Sequence, residues 1–591
     1  MDTTYLAVLC SDAGLRRGFG DRLRWVAGPF KADSRGDLTL FTAMEASTLD
    51  LGPSSGMLVG ALFSRETRPR RLSTIDEPAG RRIAESGGAS LATDFWGGYV
   101  AFTMEKGSRA VRILRDPSGT VPCYYLKVGS ALIASSSVAL LFAVAGVAPE
   151  IQWPHARRYL ATASLRTSET ALAGVKEVLP GFGLSIRNGS EAVITFWSPW
   201  DFVDPELHLS DQERQTRLYE LVQGCIAAWA SCFDRILVGV SGGLDSSIVA
   251  ACLAQWSGRT QLMTMATHSA SGDERAYARI LAASLELPLQ ERFYEDQHID
   301  LDDAQAKAFP RPAGLIFDQS YQRTIADVAD ATSADAIFSG SGGDNIFCYM
   351  SSATPLVDHF LSGGAPGPLW RTLDDICRLN GCSIWSASAM ALRRLARASS
   401  RNEWPVDVAL LAKDKLSVPG DHLHPWVEPP RKVLPGKVVH VWKLLRAYSV
   451  LDVAPIPGGP MRLAPLQSQP IMEFCLGIPT WKWCEGGMNR SVARAAFARA
   501  LPREILHRRI KRGPTSFSIE TVERHRLEIR DRLIPGLLAS NGVLDNAAVE
   551  TALSVAGPID GETAFRLCQL TAAEAWARSW SAQPSRPRLI A

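Results

Sequence analysis

The feature that most constrains this chain is a short apolar run that passes through a glycine turn directly into a helix. The run is ILVGV at 236–240, the turn is SGGLDSS at 241–247, and a helix-forming segment follows at 248–253. A continuous apolar run is typical of a strand that is buried on both faces of a parallel sheet. At the start of a helix the backbone N–H groups and the helix dipole favour an anion, and glycines let a phosphate approach closely. The sequence therefore predicts a phosphate-binding loop here.

The polar residues of this turn indicate which phosphate compound binds. Asp245 places a carboxylate beside the anion, which is favourable only when a cation such as Mg²⁺ lies between them. Because the chain contains no GxxxxGK[ST] sequence, the loop differs from a Walker A loop. We expect a loop that binds the pyrophosphate of ATP, and its binding residues would be Ser241, Gly242, Gly243, Asp245 and Ser246.

A second strand-like run ends in a similar turn. AIF at 336–338 is followed by SGSGGDN at 339–345. Because the carboxyl ends of parallel strands lie at one edge of a sheet, where ligands bind in such folds, we expect the two turns to meet there. Asp245 and Asp344 would then hold one Mg²⁺ on a triphosphate, and Asp344 could also cap the following helix. The other nucleotide-binding residues of this turn would be Ser339, Gly340, Gly342 and Gly343.

The first turn is also compatible with other classes of function. GVSGG at 239–243 fits G-x-S-x-G, the nucleophile elbow of α/β-hydrolases, in which Ser241 would be the nucleophile. Such an enzyme needs a later acid and a histidine, and His440, His507 and His525 are the candidates. A plain glycine turn without a ligand and a non-catalytic ATP-binding scaffold are further alternatives. The hydrolase would not need ATP, and the scaffold would bind ATP without releasing AMP.

The order of segments divides the chain into two parts. In the first 200 or so residues, short apolar runs alternate with Gly, Pro and Ser turns, which predicts stacked antiparallel sheets. SDQE at 210–213 is typical of a capping box, and strand-like and helix-like segments alternate after it, as in a parallel α/β sheet. The last third is mostly helical in pattern. We therefore expect domains at 1–205 and 206–591.

Charge and hydropathy argue against several partners. Lys plus Arg number 63 and Asp plus Glu number 61, a formal net charge of +2, which does not support binding to nucleic acid or to a membrane surface. The longest apolar stretch, 138–148, is shorter than the roughly 20 residues that cross a bilayer. The amino terminus has no basic segment of a secretory signal, and the 11 cysteines show no zinc-ligand spacing. These features predict a cytoplasmic protein.

Several motifs of the chain are similar to those of the asparagine synthetase family. SGGLDS at 241–246 matches that family's ATP-pyrophosphatase signature, 339–344 resembles its second ATP loop, and DE at 273–274 resembles its acidic pair. RDPSGTVPCYY at 115–125 and VLPG at 178–181 resemble its glutamine amidotransferase domain. The resemblance implies an α/β protein: an Ntn-hydrolase-like αββα sandwich, followed by a parallel α/β ATP-pyrophosphatase domain with a helical carboxyl-terminal part.

Position 2 separates this chain from the glutamine-dependent members of that family. Those enzymes use an amino-terminal cysteine as the nucleophile, whereas Asp2 stands here and Cys10 lies too far along the chain. An aspartate cannot supply the thiolate that attacks an amide. The resemblance therefore implies a non-catalytic amidotransferase domain and an acceptor amine that already belongs to the substrate.

A second departure lies at Ser341, where asparagine synthetases have Glu and β-lactam synthetases have Tyr. The loop SGSGGDNIF at 339–347, together with PLQSQP at 465–470, instead resembles the lasso peptide cyclases. Those enzymes join the α-amine of a short peptide to one of its own Asp or Glu side chains in a macrolactam ring. The resemblance implies ATP and Mg²⁺ as cofactors, a precursor or core peptide as substrate, and a leader-peptide protease with a leader-recognition partner. Asparagine synthetase and β-lactam synthetase chemistry remain alternatives.

A basic segment in the carboxyl-terminal part adds to the resemblance. RRIKRG at 508–513 follows a helical run at 489–500 and resembles the family's lysine-bearing segment near the ATP phosphates. In that role Lys511 would stabilise the charge of the acyl-adenylate step, and losing such a partner commonly costs ~3 kcal/mol in barrier. From charge alone the segment would be a solvated basic face. Lys511 and Ser341 are thus the candidate catalytic residues.

Overall fold

A computed structural model provides the coordinates for most of the chain. It describes residues 1–582 except 53–54, 105–109, 188, 205–207, 270–271, 304, 397–403, 414–422, 454, 457, 510–512, 555–556 and 558. The expected domain boundary between 205 and 206 and the candidate Lys511 lie outside the described residues.

In the described part of the amino-terminal half, the strands form two antiparallel sheets of six strands each. The strands are β1 Tyr5–Leu9, β2 Phe30–Arg35, β3 Leu38–Ala43, β4 Thr48–Asp50, β5 Gly56–Ser64, β6 Phe95–Met104, β7 Val111–Arg115, β8 Tyr124–Val128, β9 Ala131–Ser135, β10 Lys176–Glu177, β11 Phe182–Arg187 and β12 Ser190–Thr195. Their order is β10-β8-β9-β1-β3-β2 in one sheet and β12-β11-β7-β6-β5-β4 in the other. The helices of this half are α1 Ala13–Ala27, α2 Glu77–Glu85, α3 Ser90–Thr93, α4 Val138–Ala145 and α5 Trp153–Ala161.

The two sheets stack face to face, and helices cover their outer faces. Tyr5 of β1 faces the second sheet, with its ring centroid 5.5 Å from that of Phe102 in β6. The next residue, Leu6, points to the other face of its sheet and packs in one apolar cluster with Leu23 of α1. On the far side of the second sheet, Ile83 of α2 packs against strand residues. Because side chains alternate along a strand, each sheet contributes to two cores. The expected αββα sandwich is confirmed.

In the described part of the carboxyl-terminal half, five strands form one parallel sheet. They are β13 Ile236–Gly239, β14 Thr260–Ala266, β15 Leu289–Phe293, β16 Ala336–Ser339 and β17 Met461–Leu463, in the order β15-β14-β13-β16-β17. The helices are α6 Asp211–Ala230, α7 Leu244–Leu253, α8 Arg275–Leu285, α9 Asp318–Thr332, α10 Gly343–Ile346, α11 Thr354–Leu361, α12 Pro366–Asn380, α13 Ile384–Ala396, α14 Pro435–Ala447, α15 Gln469–Gly477, α16 Ser491–Ala496, α17 Arg503–Leu506, α18 Thr515–Arg524, α19 Arg526–Leu533, α20 Leu537–Ser540, α21 Asn546–Ser554 and α22 Gly561–Ser581.

Burial on both faces explains the continuous apolar run of β13. Val238 packs in one cluster with Ile248 of α7, whereas its neighbour Leu237 packs in another with Ile325 of α9. The Ser210 capping box at the start of α6 is also present, with its side chain accepting from the Glu213 backbone N–H. The expected parallel α/β class of this half is confirmed. Within the described residues, no helix combines the length and apolarity needed to span a membrane.

A buried ion network joins the two halves. Glu177 and Arg115 of the amino-terminal half form an ion pair of 2.6 Å between Oε1 and Nη1. Arg166, from the same half, reaches Asp452 of the carboxyl-terminal half at 2.8 Å. Arg311 contacts both Glu177 and Asp452. Since every one of these side chains is at most 4% exposed, the interface between the halves is a fixed part of the structure.

Candidate nucleotide and metal site

Strand pairing delivers both glycine loops to the same place. β13 and β16 are parallel neighbours, and Gly239 at the end of the first lies opposite Ser339 at the end of the second. The loops that follow, 240–243 and 340–342, therefore leave the sheet side by side at its carboxyl edge. This edge is where ligands bind in parallel α/β folds.

The first loop is a tight turn that only glycine can form at its centre. Gly242 has a φ of +60°, and a Cβ atom built on it would overlap the side chain of Tyr277. The Ser246 hydroxyl accepts from the backbone N–H of Ser241 at 3.3 Å, and Ser247 donates to the carbonyl of Gly243 at 2.8 Å. These bonds fix the loop at the start of α7, where the helix dipole favours an anion.

The second loop lies directly against the first. A Cβ atom built on Gly343 would come closer than 3.0 Å to the side chain of Asp245, and one built on Gly340 would do the same to the backbone of Ser246. Gly342 has a φ of +81° and packs against the side chain of Gln467, which is 2% exposed. The structure thus brings together the two loops and the segment 465–470 that the sequence singles out.

The two acidic side chains converge on a single cation. Asp245 Oδ2 accepts from Nη1 of Arg490 at 2.7 Å, and the same nitrogen forms an ion pair with Oδ1 of Asp344. The side chain of Asp245 is 8% exposed and that of Asp344 is 36% exposed. Both carboxylates therefore face one position that already holds positive charge. This arrangement fits a divalent cation between them.

The donor set suits Mg²⁺ on a nucleotide better than a resident metal. In the described part of the chain, no group of three or more His, Cys, Asp or Glu side chains could hold a metal ion. Mg²⁺ is commonly bound by one or two carboxylates together with substrate phosphates and water. Asp245 and Asp344 would supply the protein's share of that coordination.

Several basic side chains surround the loops, and sequence reasoning missed most of them. Arg508 donates to the carbonyl of Ser241 at 3.2 Å, forms an ion pair with Glu274, and stacks over the ring of Tyr277 at 4.2 Å. Arg494 is held by neutral acceptors, with Nε donating to the Asn489 carbonyl at 2.7 Å. Burial, with a further contribution from the charge of Arg490, lowers the pKa of Arg494 to about 10.

The sequence indicates the basic side chains around the loops only in part. The sequence predicts a role for the basic segment 508–513, and the described residue of this segment at the loop is Arg508, whereas Lys511 lies outside the described residues. The run 489–500 was expected to be one helix, but α16 covers only Ser491–Ala496. Arg490 lies just before it in the left-handed region, with a φ of +53°. A sequence pattern at helical spacing does not reveal such a residue.

The predicted acidic pair at 273–274 divides between two partners. Asp273 accepts from Arg275 at 2.7 and 2.9 Å, and these hydrogen bonds lower the pKa of Asp273 to about 2. Glu274 instead pairs with Arg508 beside the first loop.

Ser341 is exposed, and its backbone N–H donates to Ser339 at 3.4 Å. The role of Ser341 stays a prediction.

The arrangement around Ser241 does not resemble a hydrolase triad. Within the described residues, the backbone N–H of Ser241 donates to the Ser246 hydroxyl and its carbonyl accepts from Arg508. Ser241 hydrogen-bonds to no histidine there. His440 bonds to the carbonyl of Ile346 at 2.9 Å. The other two candidate histidines also lie elsewhere: His525 bonds to Asp296 and Glu528, and His507 lines a separate cavity of about 390 Å³.

Asp2 stands at position 2 of this chain, where the resemblance to glutamine-dependent enzymes predicts a cysteine. Asp2 accepts from the backbone N–H of Thr4 at 2.7 Å. Cys10, at the end of β1, is 5% exposed, and its Sγ lies 3.8 Å from the Ser130 hydroxyl. A buried thiol at this distance from the amino terminus is not poised for attack on an amide.

Two protein-family models match parts of the chain. A glutamine amidotransferase domain model matches residues 81–197, and no curated protein matches the chain. Among solved structures, glutamine phosphoribosylpyrophosphate amidotransferase from B. subtilis, complexed with ADP and GMP, is 10% identical, with 57% of this chain and 90% of that chain covered and a TM-score of 0.22. A structure described as the allosteric regulatory enzyme of purine biosynthesis is 10% identical, with 49% and 74% covered and a TM-score of 0.20. The asparagine synthase model matches residues 217–453 and 463–578, which is more than half of the chain, and the protein therefore belongs to the asparagine synthase family of ATP-dependent amide ligases.

Proposed function

We propose that the protein is an ATP-dependent lasso peptide macrolactam synthetase. In the first half-reaction, the side-chain carboxylate of an Asp or Glu in a core peptide attacks the α-phosphate of ATP, which gives an acyl-adenylate and releases pyrophosphate. In the second, the amino-terminal amine of the same peptide attacks the acyl carbon and loses a proton, and AMP leaves. The product is an isopeptide bond that closes a ring.

The observation that carries the ATP-dependent step is the convergence of Asp245 and Asp344 on one cation beside the glycine loops. These carboxylates would hold Mg²⁺, which neutralises phosphate charge during such transfers. The backbone N–H groups of 241–246 would bind the departing pyrophosphate at the start of α7. Arg508, fixed by Glu274, adds positive charge next to the same loop.

The choice of a peptide substrate is supported by two connected segments. The second loop carries Ser341 in place of the Glu or Tyr of related ligases, and its Gly342 packs against Gln467 of the segment 465–470. These are the two segments that resemble lasso peptide cyclases. Their contact supports a shared role of the two segments in handling the acceptor.

An acceptor amine within the substrate also fits the amino-terminal half. Asp2 and the buried Cys10 provide no nucleophile for glutamine hydrolysis, so ammonia is not expected from this domain. A tethered amine compensates for that loss, because well-oriented intramolecular attack contributes ~7–11 kcal/mol to lowering a barrier. Lys511 is proposed to stabilise the oxyanion of this step, and Ser341 remains the other candidate catalytic residue.

The proposal is tested by mass spectrometry of a candidate core peptide after incubation with the enzyme and Mg·ATP. The expected result is loss of one water from the peptide with formation of AMP and pyrophosphate. Asp245→Asn serves as the inactive control. Since a leader-peptide protease and a leader-recognition protein are proposed partners, the reaction is run with and without them. An unchanged peptide in both cases, with turnover of free aspartate and ammonia instead, would assign asparagine synthetase chemistry.

A further inference from the structure

Arg490 occupies the point at which the two acidic loops meet. Its Nη1 atom lies 2.7 Å from Oδ2 of Asp245 and also pairs with Oδ1 of Asp344. The residue is only 8% exposed. The place between two carboxylates that a nucleotide-bound metal ion needs is therefore filled by a side chain of the protein itself.

The backbone of Arg490 is held firmly, whereas its side chain has a long reach. A non-glycine residue with a φ of +53° persists only where the surrounding structure fixes it. Here the Arg490 carbonyl accepts from the Arg494 backbone N–H at 3.0 Å. The Arg494 side chain in turn bonds to the carbonyl and the side chain of Asn489 at 2.7 and 2.9 Å. The Arg490 side chain also donates from Nε to Oδ1 of Asn489 at 3.1 Å, so an exchange of partners by the guanidinium would require side-chain rotation and loss of this bond but no movement of the backbone.

Charge balance requires such a change when a metal–nucleotide complex binds. One guanidinium and a divalent cation cannot share the same two carboxylates at contact distance, because like charges repel strongly at a largely buried site. A triphosphate supplies new acceptors for the displaced group, and a guanidinium binds phosphate oxygens in a bidentate manner. The ring of Tyr349 lies beside the Arg490 guanidinium, with its centroid 5.7 Å away.

We propose that Arg490 is an internal counter-ion that takes the place of the metal between Asp245 and Asp344 and transfers to phosphate oxygens when Mg·ATP binds. The inference rests on the proposed ATP-dependent function and adds how that site is controlled. It implies that the metal enters together with the nucleotide, since Arg490 competes with a metal that arrives alone. The same residue then weakens metal binding without nucleotide and strengthens binding of the metal–nucleotide complex.

The test is a titration of the full chain with Mn²⁺ in the absence of nucleotide. The electron paramagnetic resonance signal of free Mn²⁺ measures how much of the ion is bound. Arg490→Met is expected to bind Mn²⁺ at least tenfold more tightly than the wild type. In a parallel titration with Mn²⁺ and a nonhydrolysable ATP analogue, the same variant is expected to bind the analogue at least tenfold more weakly. Arg530→Met is the control, because Arg530 forms an exposed surface ion pair with Glu550, and we expect less than a threefold change in its Mn²⁺ affinity.

Two further measurements keep the inference separate from folding and from the proposed function. If circular dichroism shows that Arg490→Met does not fold, Arg490→Lys is used in its place. Lysine keeps the positive charge but bridges the two carboxylates less well than arginine. The Mn²⁺ affinity of Arg490→Lys without nucleotide should therefore rise at least threefold. Equal Mn²⁺ affinity of wild type and variant would overturn the inference while leaving the ligase proposal intact. If instead the wild type does not bind the Mn²⁺–analogue complex, the proposed function itself is wrong.

Discussion

The backbones of Gly340 and Ser246 are in direct contact, although 94 residues separate them in the sequence. A Cβ atom built on Gly340 would lie closer than 3.0 Å to the backbone nitrogen and Cα of Ser246, a separation that real Cβ atoms essentially never show. Backbone atoms cannot rotate away as the end of a side chain can. The absence of a side chain at Gly340 is therefore what allows the two loops to form one site.

Gly340→Ala is expected to separate the loops and weaken nucleotide binding. Because Asp344 would move away from Asp245, we predict a loss of at least tenfold in affinity for Mg²⁺ and a nonhydrolysable ATP analogue, which equals about 1.4 kcal/mol. Titration calorimetry measures this loss. Gly367→Ala is the matched control, since a Cβ atom there would meet nothing within 4 Å. Wild-type affinity in Gly340→Ala would show that the contact between the loops is unimportant for binding.

Asp245→Asn and Asp344→Asn are expected to remove the protein's share of the metal coordination. We predict that pyrophosphate exchange into ATP falls at least hundredfold in each variant, a rise of about 2.7 kcal/mol in the barrier. Asp374→Asn is the control, because Asp374 forms a solvent-exposed ion pair with Arg378 on α12. Exchange at the wild-type rate in either loop variant would contradict the assignment of that carboxylate to the metal.

Glu177→Gln is expected to destabilise the interface between the two halves. Burial alone would raise the pKa of Glu177, but Arg166, Arg311 and Arg115 together lower it to about 2. Breaking a buried ion network by removing one partner costs roughly 3–5 kcal/mol, so a clear fall in the melting temperature at pH 7 should follow. The control is Glu169→Gln, whose pair with Lys176 is about 40% exposed and should contribute at most ~1 kcal/mol.

The same network has a defined pH dependence. A carboxylate with a folded pKa of about 2, below the ordinary 4.5, contributes stability above pH 4.5 that is lost as the pH falls toward 2. The difference in melting temperature between wild type and Glu177→Gln should therefore be largest near neutral pH and decrease below pH 4.5. A difference that is the same at pH 3 and pH 7 would mean that the charge of Glu177 is not what holds the interface.

Local patterns were sufficient to predict the elements that carry the loops. The apolar run before Ser241 and the run before Ser339 are each a buried strand, and each ends in a turn that leads into a helix. The capping box at Ser210 also begins a helix where expected. In each case the signal lies within about ten consecutive residues, because burial and capping act over that distance.

The cation between the carboxylates could not be predicted in this way. Arg490 lies 245 residues beyond Asp245, and its side chain reaches the site only because α16 begins one residue later at the carboxyl edge of the sheet. Its left-handed backbone also interrupts a run that reads as a continuous helix. Contacts of this kind depend on how distant elements pack, and no periodicity in the sequence records them.

Asp318→Asn is expected to stabilise the protein, by an amount that depends on pH. Asp318 is the first residue of α9, and burial raises its pKa from 3.8 to about 7. The dipole at the start of a helix favours the charged form by only about 0.3–1 kcal/mol, whereas a shift of three units corresponds to roughly 4 kcal/mol. Burial therefore dominates, and the ionised side chain is unfavourable in the folded protein.

The direction of the effect follows from proton binding. Between about pH 4 and pH 7 the folded protein binds the proton of Asp318 more tightly than the unfolded chain does, so stability falls as the pH rises through that window. Asn carries no charge and removes this loss. Because Asp318 is only partly buried, we expect a gain of about 2 kcal/mol at pH 8 that disappears near pH 4, measured as the difference in melting temperature. Asp327→Asn, at an exposed position of the same helix, should show little gain at either pH, and a gain from Asp318→Asn that is independent of pH would refute the ionisation argument.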